Sequence, residues 1–117
     1  MDIETLRDYC LSLDHTTEGF PFDDKTLVFK VAGKMFALTS IEEFKSVNLK
    51  CEPERAISLR EQYPCVKPGF HMSKKHWNTV EMDLSISDQM IYLWVRESYD
   101  LVVDSLTKKL KVELGLI

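Results

Sequence analysis

Thr26-Leu27-Val28-Phe29-Lys30-Val31-Ala32-Gly33-Lys34-Met35-Phe36-Ala37-Leu38 decides the fold of this chain. Leu27, Phe29 and Val31 alternate with Val28 and Lys30, and Phe36 and Leu38 alternate with Met35 and Ala37, the period of two expected of strands. Gly33 between them can take positive φ, so the two runs close as a hairpin about Ala32-Gly33. The sheet therefore starts here and is antiparallel.

Downstream, a polar turn about Glu42-Glu43 leads to Val47, Leu49 and Cys51 alternating with Ser46, Asn48 and Lys50, a further strand with one wet face. Pro53 has the backbone angle favoured at a helix start and Pro64 terminates the run, so Ala56, Ile57, Arg60 and Tyr63 form the stripe of a short helix. Cys65 to Pro68 reads as a brief strand, Gly69 to Lys75 as a turn, and Trp77 to Leu84 as a strand with Val80, Met82 and Leu84 on one side. Ser85, followed three residues on by Asp88, signals a helix start. Met90, Ile91, Trp94, Ser98, Leu101, Val102 and Leu106 then share a stripe about five turns long. Lys108, Lys109 and Lys111 follow where positive charge suits a helix C-terminus, ahead of the apolar tail Leu114, Leu116 and Ile117.

Upstream, Asp2 caps a first helix whose stripe is Ile3, Leu6, Cys10 and Leu13. His15 to Gly19 breaks that period, and Phe20-Pro21-Phe22-Asp23-Asp24 reads as an extended segment that its proline keeps at a sheet edge. The order is α-β-β-β-(β)-α-β-β-α, an α+β class fold with a two-layer arrangement of antiparallel sheet and packed helices. At 117 residues the chain fits a single domain, 1–117. It has neither an apolar run of about 18 residues nor a cleavable leader pattern, so a cytoplasmic protein, monomeric and away from membranes, is expected.

Net charge is −4, which argues against a strongly basic nucleic-acid binder, yet the charge is segregated: residues 25–80 carry ten Lys/Arg and five Asp/Glu, whereas residues 1–24 carry one and seven. Such asymmetry makes one face of an acidic protein attractive to polyanions, although lysines solvating strand edges give the same pattern. The densest polar chemistry lies in Pro68-Gly69-Phe70-His71-Met72-Ser73-Lys74-Lys75-His76-Trp77-Asn78-Thr79-Val80. Lys74 and Lys75 suit phosphates, His71, His76 and Asn78 can donate hydrogen bonds, and Trp77 or Phe70 can stack on an unpaired base. Lys67 and the hairpin residues Lys30 and Lys34 complete the candidate nucleic-acid surface.

Catalysis is not indicated. His71 and His76, five apart, share neither a helix face nor a strand face, so a metal site is not expected. No nucleophile elbow, phosphate loop or zinc-protease motif occurs, and Asp23-Asp24 reads as a turn rather than a carboxylate dyad. Cys10, Cys51 and Cys65 lack Cys-x-x-Cys spacing and read as small hydrophobes, Cys65 being the one with cationic neighbours in sequence. No cofactor is implied.

The Pro68 to Thr79 run resembles the signature of the MmcQ/YjbR proteins, sometimes described as double-wing DNA-binding proteins. Gly19-Phe20-Pro21-Phe22 with the hairpin Val28 to Ala37, and Ser98-Tyr99-Asp100-Leu101-Val102-Val103, extend the resemblance over nearly the whole chain. Phe70 stands where that family often has Tyr, Ser73 where Asn is common, and Thr107 where Pro often precedes the basic pair. The resemblance implies an α+β domain similar to type III secretion chaperones and a suggested DNA-binding role. A non-enzymatic binding module for DNA is the leading expectation. A protein-interaction or chaperone-like domain, acting through the Phe20-Phe22 edge and the apolar tail, is the other.

Overall fold

The computed structural model describes residues 1–117. Four helices and six strands follow one another as α1 (Ile3–Ser12), β1 (Thr16–Gly19), β2 (Thr26–Val31), β3 (Lys34–Ser40), β4 (Ser46–Lys50), α2 (Pro53–Gln62), β5 (Val66–Pro68), β6 (Trp77–Glu81), α3 (Asp88–Asp104) and α4 (Lys108–Glu113). The strands form one sheet in the order β1-β2-β3-β4-β6-β5, every neighbouring pair antiparallel. The α+β class is that read from the sequence, and the element order matches closely, with α4 added after α3.

The hairpin turn holds Ala32 at φ 51° and Gly33 at φ 78°, the left-handed pair that matches the twist of a two-residue hairpin. Strict alternation fails within it. Phe29 faces Ala37 but Lys30 faces Met35, so Phe36 is the extra residue of a β-bulge. The bulge turns both Phe36 and Ala37 toward the helices and sends Leu38, expected beside Phe36, to the opposite face.

Helices α1, α2 and α3 all pack on one face. Their Leu6, Cys10, Leu59, Ile91, Trp94, Val95, Tyr99 and Val102 join Leu27, Phe29, Val31, Phe36, Val47, Leu49 and Val80 of the sheet in one core. Asp2 caps α1 by accepting the Thr5 N–H at 2.8 Å, which holds its carboxyl below the usual carboxylate range. In α2 the buried residues are Ala56 and Leu59, while Ile57 faces solvent. Ser98, fully buried on α3, accepts the Lys50 N–H at 2.9 Å and donates to the Phe36 carbonyl at 2.6 Å. It thus satisfies two main-chain groups just beyond the point where β3 and β4 part, at the Ala37–Leu49 pair. Tyr99, set edge-on to Phe36 at 5.4 Å, donates its hydroxyl to Asp14 O at 2.6 Å.

Four boundaries depart from the sequence reading. The edge strand is Thr16–Gly19 rather than Phe20–Asp24: it pairs with β2 from Thr16–Val31 to Gly19–Val28, and Glu18 is tied to α1 by Arg7, with Nε to carboxylate distances of 2.7 and 2.9 Å. Asp23 instead closes a turn by accepting from Lys25 N and Thr26 N. Strand β6 ends at Glu81: Asp83 accepts from the Ser85 N–H, and Leu84, at φ 67°, is 86% exposed rather than aligned with Val80. The cap of α3 is Ser87, whose Oγ accepts the Met90 N–H, and not Ser85. Thr107 accepts the Leu110 N–H and so begins a separate helix, placing Lys108 and Lys109 at the start of α4 instead of the end of α3.

Candidate functional site

The sheet's second face is built from one row of cross-strand neighbours, Gly19–Val28–Leu38–Asn48–Thr79–Lys67, which crosses all six strands. Lys30 and Trp77 lie on the same face, since side chains two residues apart on a strand point the same way. Val28, Leu38 and Trp77 are buried there with Met35 and Met72 packed against them, although no helix covers them. The cover is the segment between β5 and β6.

Residues 69–76 fold back over this face, and polar contacts fix the path. The Phe70 N–H donates to Thr79 Oγ1 at 2.8 Å, Thr79 Oγ1 donates to Asn48 Oδ1 at 2.5 Å, and Asn48 Nδ2 donates to the Phe70 carbonyl at 3.3 Å. Lys74 Nζ crosses the loop to the Gly69 carbonyl at 2.9 Å. From the helical side Arg60 Nε donates to Asn78 Oδ1 at 2.7 Å, while its guanidinium also reaches the Lys74 carbonyl. Gly69 donates its N–H to the Trp77 carbonyl at 2.9 Å, and a Cβ at Gly69 would lie 2.7 Å from Trp77 Cβ and 2.8 Å from Trp77 O. Only glycine lets the loop approach its own returning strand so closely.

At the tip these bonds turn an aromatic outward. Phe70 is 66% exposed, its ring centroid 4.0 Å from that of His71, which takes φ 58°. Lys67, Lys74, Lys75 and His76 are exposed as well, and residues 62–80 contain no Asp or Glu. Lys67 lies 3.9 Å from Glu81, but both side chains are about half exposed and such a pair contributes little.

Of the residues singled out in the sequence, Lys30, Lys67, His71, Lys74, Lys75 and His76 belong to this face or its covering loop. Lys34 does not: its Nζ is 3.5 Å from Ser105 Oγ beyond the end of α3. Trp77 is 7% exposed under the loop, so its ring is not open to stacking. Asn78 is 2% exposed on the helical face, where its Nδ2 also donates to the Ala56 carbonyl. Cys65 is 2% exposed among core residues. Asn48, Thr79 and Arg60, which organise the loop, escaped sequence reading. Asn48 is merely one of the wet-face residues of its strand, and nothing local ties Arg60 to a loop 14 residues away.

The shifted titrations elsewhere have structural causes. Burial pushes the Cys10 thiol up to about 12 and raises Cys51, and main-chain and side-chain donors hold Asp23 and Asp83 low. No cluster of three or more His, Cys, Asp or Glu is arranged to hold a metal ion, and no helix is long and apolar enough to cross a membrane. The main chain of the apolar tail is tied back, with Leu114 O 2.5 Å from His15 Nε2 and Leu116 N donating to Lys111 O at 2.8 Å, while the Ile117 side chain is 67% exposed.

A sequence profile described as YjbR matches residues 11–101. The uncharacterised YjbR of Escherichia coli strain K12 is 36% identical over 118 residues, covering 97% of this chain and all (100%) of its own. The uncharacterised YbdF of Escherichia coli O157:H7 is 36% identical over 107 residues, covering 91% of this chain and 88% of its own. Among solved structures, the Deinococcus radiodurans protein DR2400, described as a DUF419 domain, superposes with a TM-score of 0.91 at 42% identity, covering 97% of this chain and 87% of that one. A Pseudomonas syringae protein gives 0.72 at 27% identity over 86% and 98%.

Proposed function

The chain belongs to the YjbR family, and from that premise we propose that it is a non-enzymatic nucleic-acid-binding module that works through the loop-covered face of the sheet. The observation that carries the reading is the acid-free segment 62–80, which carries Lys67, His71, Lys74, Lys75 and His76, all exposed, together with an exposed Phe70. The acids lie mainly elsewhere: Glu4 and Asp8 on α1, and Asp88, Glu97, Asp100 and Asp104 on α3, belong to the helical layer. The helical layer also carries Arg7, Arg55, Arg60 and Arg96, so the contrast is local: the acid-free segment concentrates positive charge and orients it toward a polyanion despite the net charge of −4.

With few cations available, binding is weak and salt-sensitive, each neutralised phosphate adding about 0.7 to 0.9 to the slope of log affinity against log salt. Because Lys74 also ties the loop through Gly69 O, Lys67→Ala with Lys75→Ala is the cleaner electrostatic test. Titrating a labelled oligonucleotide over a salt series should give lower affinity for the double variant and a slope flatter by roughly 1.5. An unchanged slope, or no binding at low salt, overturns the reading.

One observation favours a protein partner instead. Phe20 and Phe22, 48% and 63% exposed, stand in the β1–β2 loop, where Phe20 and Pro21 line a depression with Val28 and Lys30. Phe20→Ser with Phe22→Ser separates the two readings, since oligonucleotide affinity survives it if the loop-covered face acts alone.

A further inference from the structure

Resting on that reading, we infer that the Phe70–His71 tip is a seat for an unpaired base, so that the protein prefers single-stranded to duplex nucleic acid. Phe70 carries a large apolar ring that is 66% exposed. It stands on a fixed backbone: its N–H is held by Thr79 at 2.8 Å and its carbonyl by Asn48 at 3.3 Å, with Thr79 and Asn48 bonded to each other at 2.5 Å. His71 leans on the ring at 4.0 Å with an interplanar angle of 50°, covering one part of it and leaving the rest in solvent.

The loop therefore pins both main-chain groups of the residue whose side chain it leaves uncovered. Ordering the backbone beforehand lowers the entropy lost when a ligand settles on the ring.

The occupant is set by the ring's surroundings. A protein side chain would gain from an apolar rim, whereas the exposed side chains of this loop and of β5 beside it include Lys67, Lys74, Lys75 and His76, and the acid on this face, Glu81, lies 3.9 Å from Lys67. An aromatic face set among cations is the pattern that takes a base by stacking and its phosphates by charge. In a duplex both faces of each base are already stacked, so only an unpaired base or a strand end can use Phe70. Asn48 and Thr79 act here as positioning residues: they hold the Phe70 backbone without reaching the base.

Fluorescence anisotropy of the full chain at low salt, with a labelled thymidine oligomer and a duplex of equal length, tests the inference with Phe70→Ala, Phe70→Trp and Thr79→Val. The native protein should bind the single strand several-fold more tightly. Phe70→Ala should lower single-strand affinity roughly tenfold, to near the duplex value. Phe70→Trp should keep the preference, and Thr79→Val should weaken it while a thermal melt confirms folding. Equal affinity for both forms, or a preference that survives Phe70→Ala, overturns the base seat and leaves nucleic-acid binding standing. Absence of binding to either form overturns both.

Discussion

The two faces of the sheet are closed by different means. On the helical face three helices bury a continuous core, and the main-chain groups at the end of the β3–β4 ladder are satisfied by the fully buried hydroxyl of Ser98. On the other face a cluster of Val28, Leu38 and Trp77 is covered by an eight-residue segment, 69–76, held by hydrogen bonds donated by Arg60, Asn48 and its own Lys74 and by one accepted at Thr79 Oγ1. The first face is a core in the ordinary sense, although Thr16 Oγ1 and the Trp94 indole N–H are buried without hydrogen-bond partners. The second uses its buried residues to support a loop whose outward side chains the fold does not need. Stability and the proposed binding thereby fall on opposite sides of one sheet.

Substitutions should respect that division. The largest effect is expected from Ser98→Ala, which leaves the Lys50 N–H and the Phe36 carbonyl buried without partners and should cost about 2–4 kcal/mol in chemical denaturation. If it proves neutral, the helical face is not the rigid side. Gly69→Ala is next. Its added methyl meets Trp77 at 2.7 Å, and displacing the loop should cost about 1–3 kcal/mol, with faster amide exchange in residues 69–76 than in α3. Phe70→Ala, one residue on, should by contrast shift stability by less than about 0.5 kcal/mol.

The smallest effect is set by pH. Asp2, Asp23 and Asp83 each have a folded-state pKa lowered by local hydrogen bonds, so each contributes stability that is complete above its unfolded value. That contribution is lost as pH falls through the lower folded value. A shallow decline in melting temperature should therefore begin below about pH 4. All three groups are exposed caps and turns, and Asp23→Asn should remove part of the slope without touching either face.

Much of this contrast could be read in the sequence. Period-two alternation, the Ala32-Gly33 turn, the Asp2 cap and Pro53 at a helix start are local devices, and all appear in the structure. The bulge at Phe36 has no local signature, so the side of Leu38 could not be read from alternation. Ser87 displaced Ser85 as a cap because Asp83 had already engaged Ser85 in a turn. The candidate site was located but not resolved: Trp77 and Asn78 looked as available as Phe70. Only pairing with β4 and packing against α2 distinguish the buried pair from the exposed ring.

The division of labour is open to direct mapping by amide chemical-shift perturbation on titrating the isotope-labelled protein with a short single-stranded oligonucleotide at low salt. The account predicts shifts concentrated in residues 69–76 and extending to Lys67 and Lys30, with α1 and α3 unchanged. Perturbations centred on the helical layer, or none at all, would contradict it.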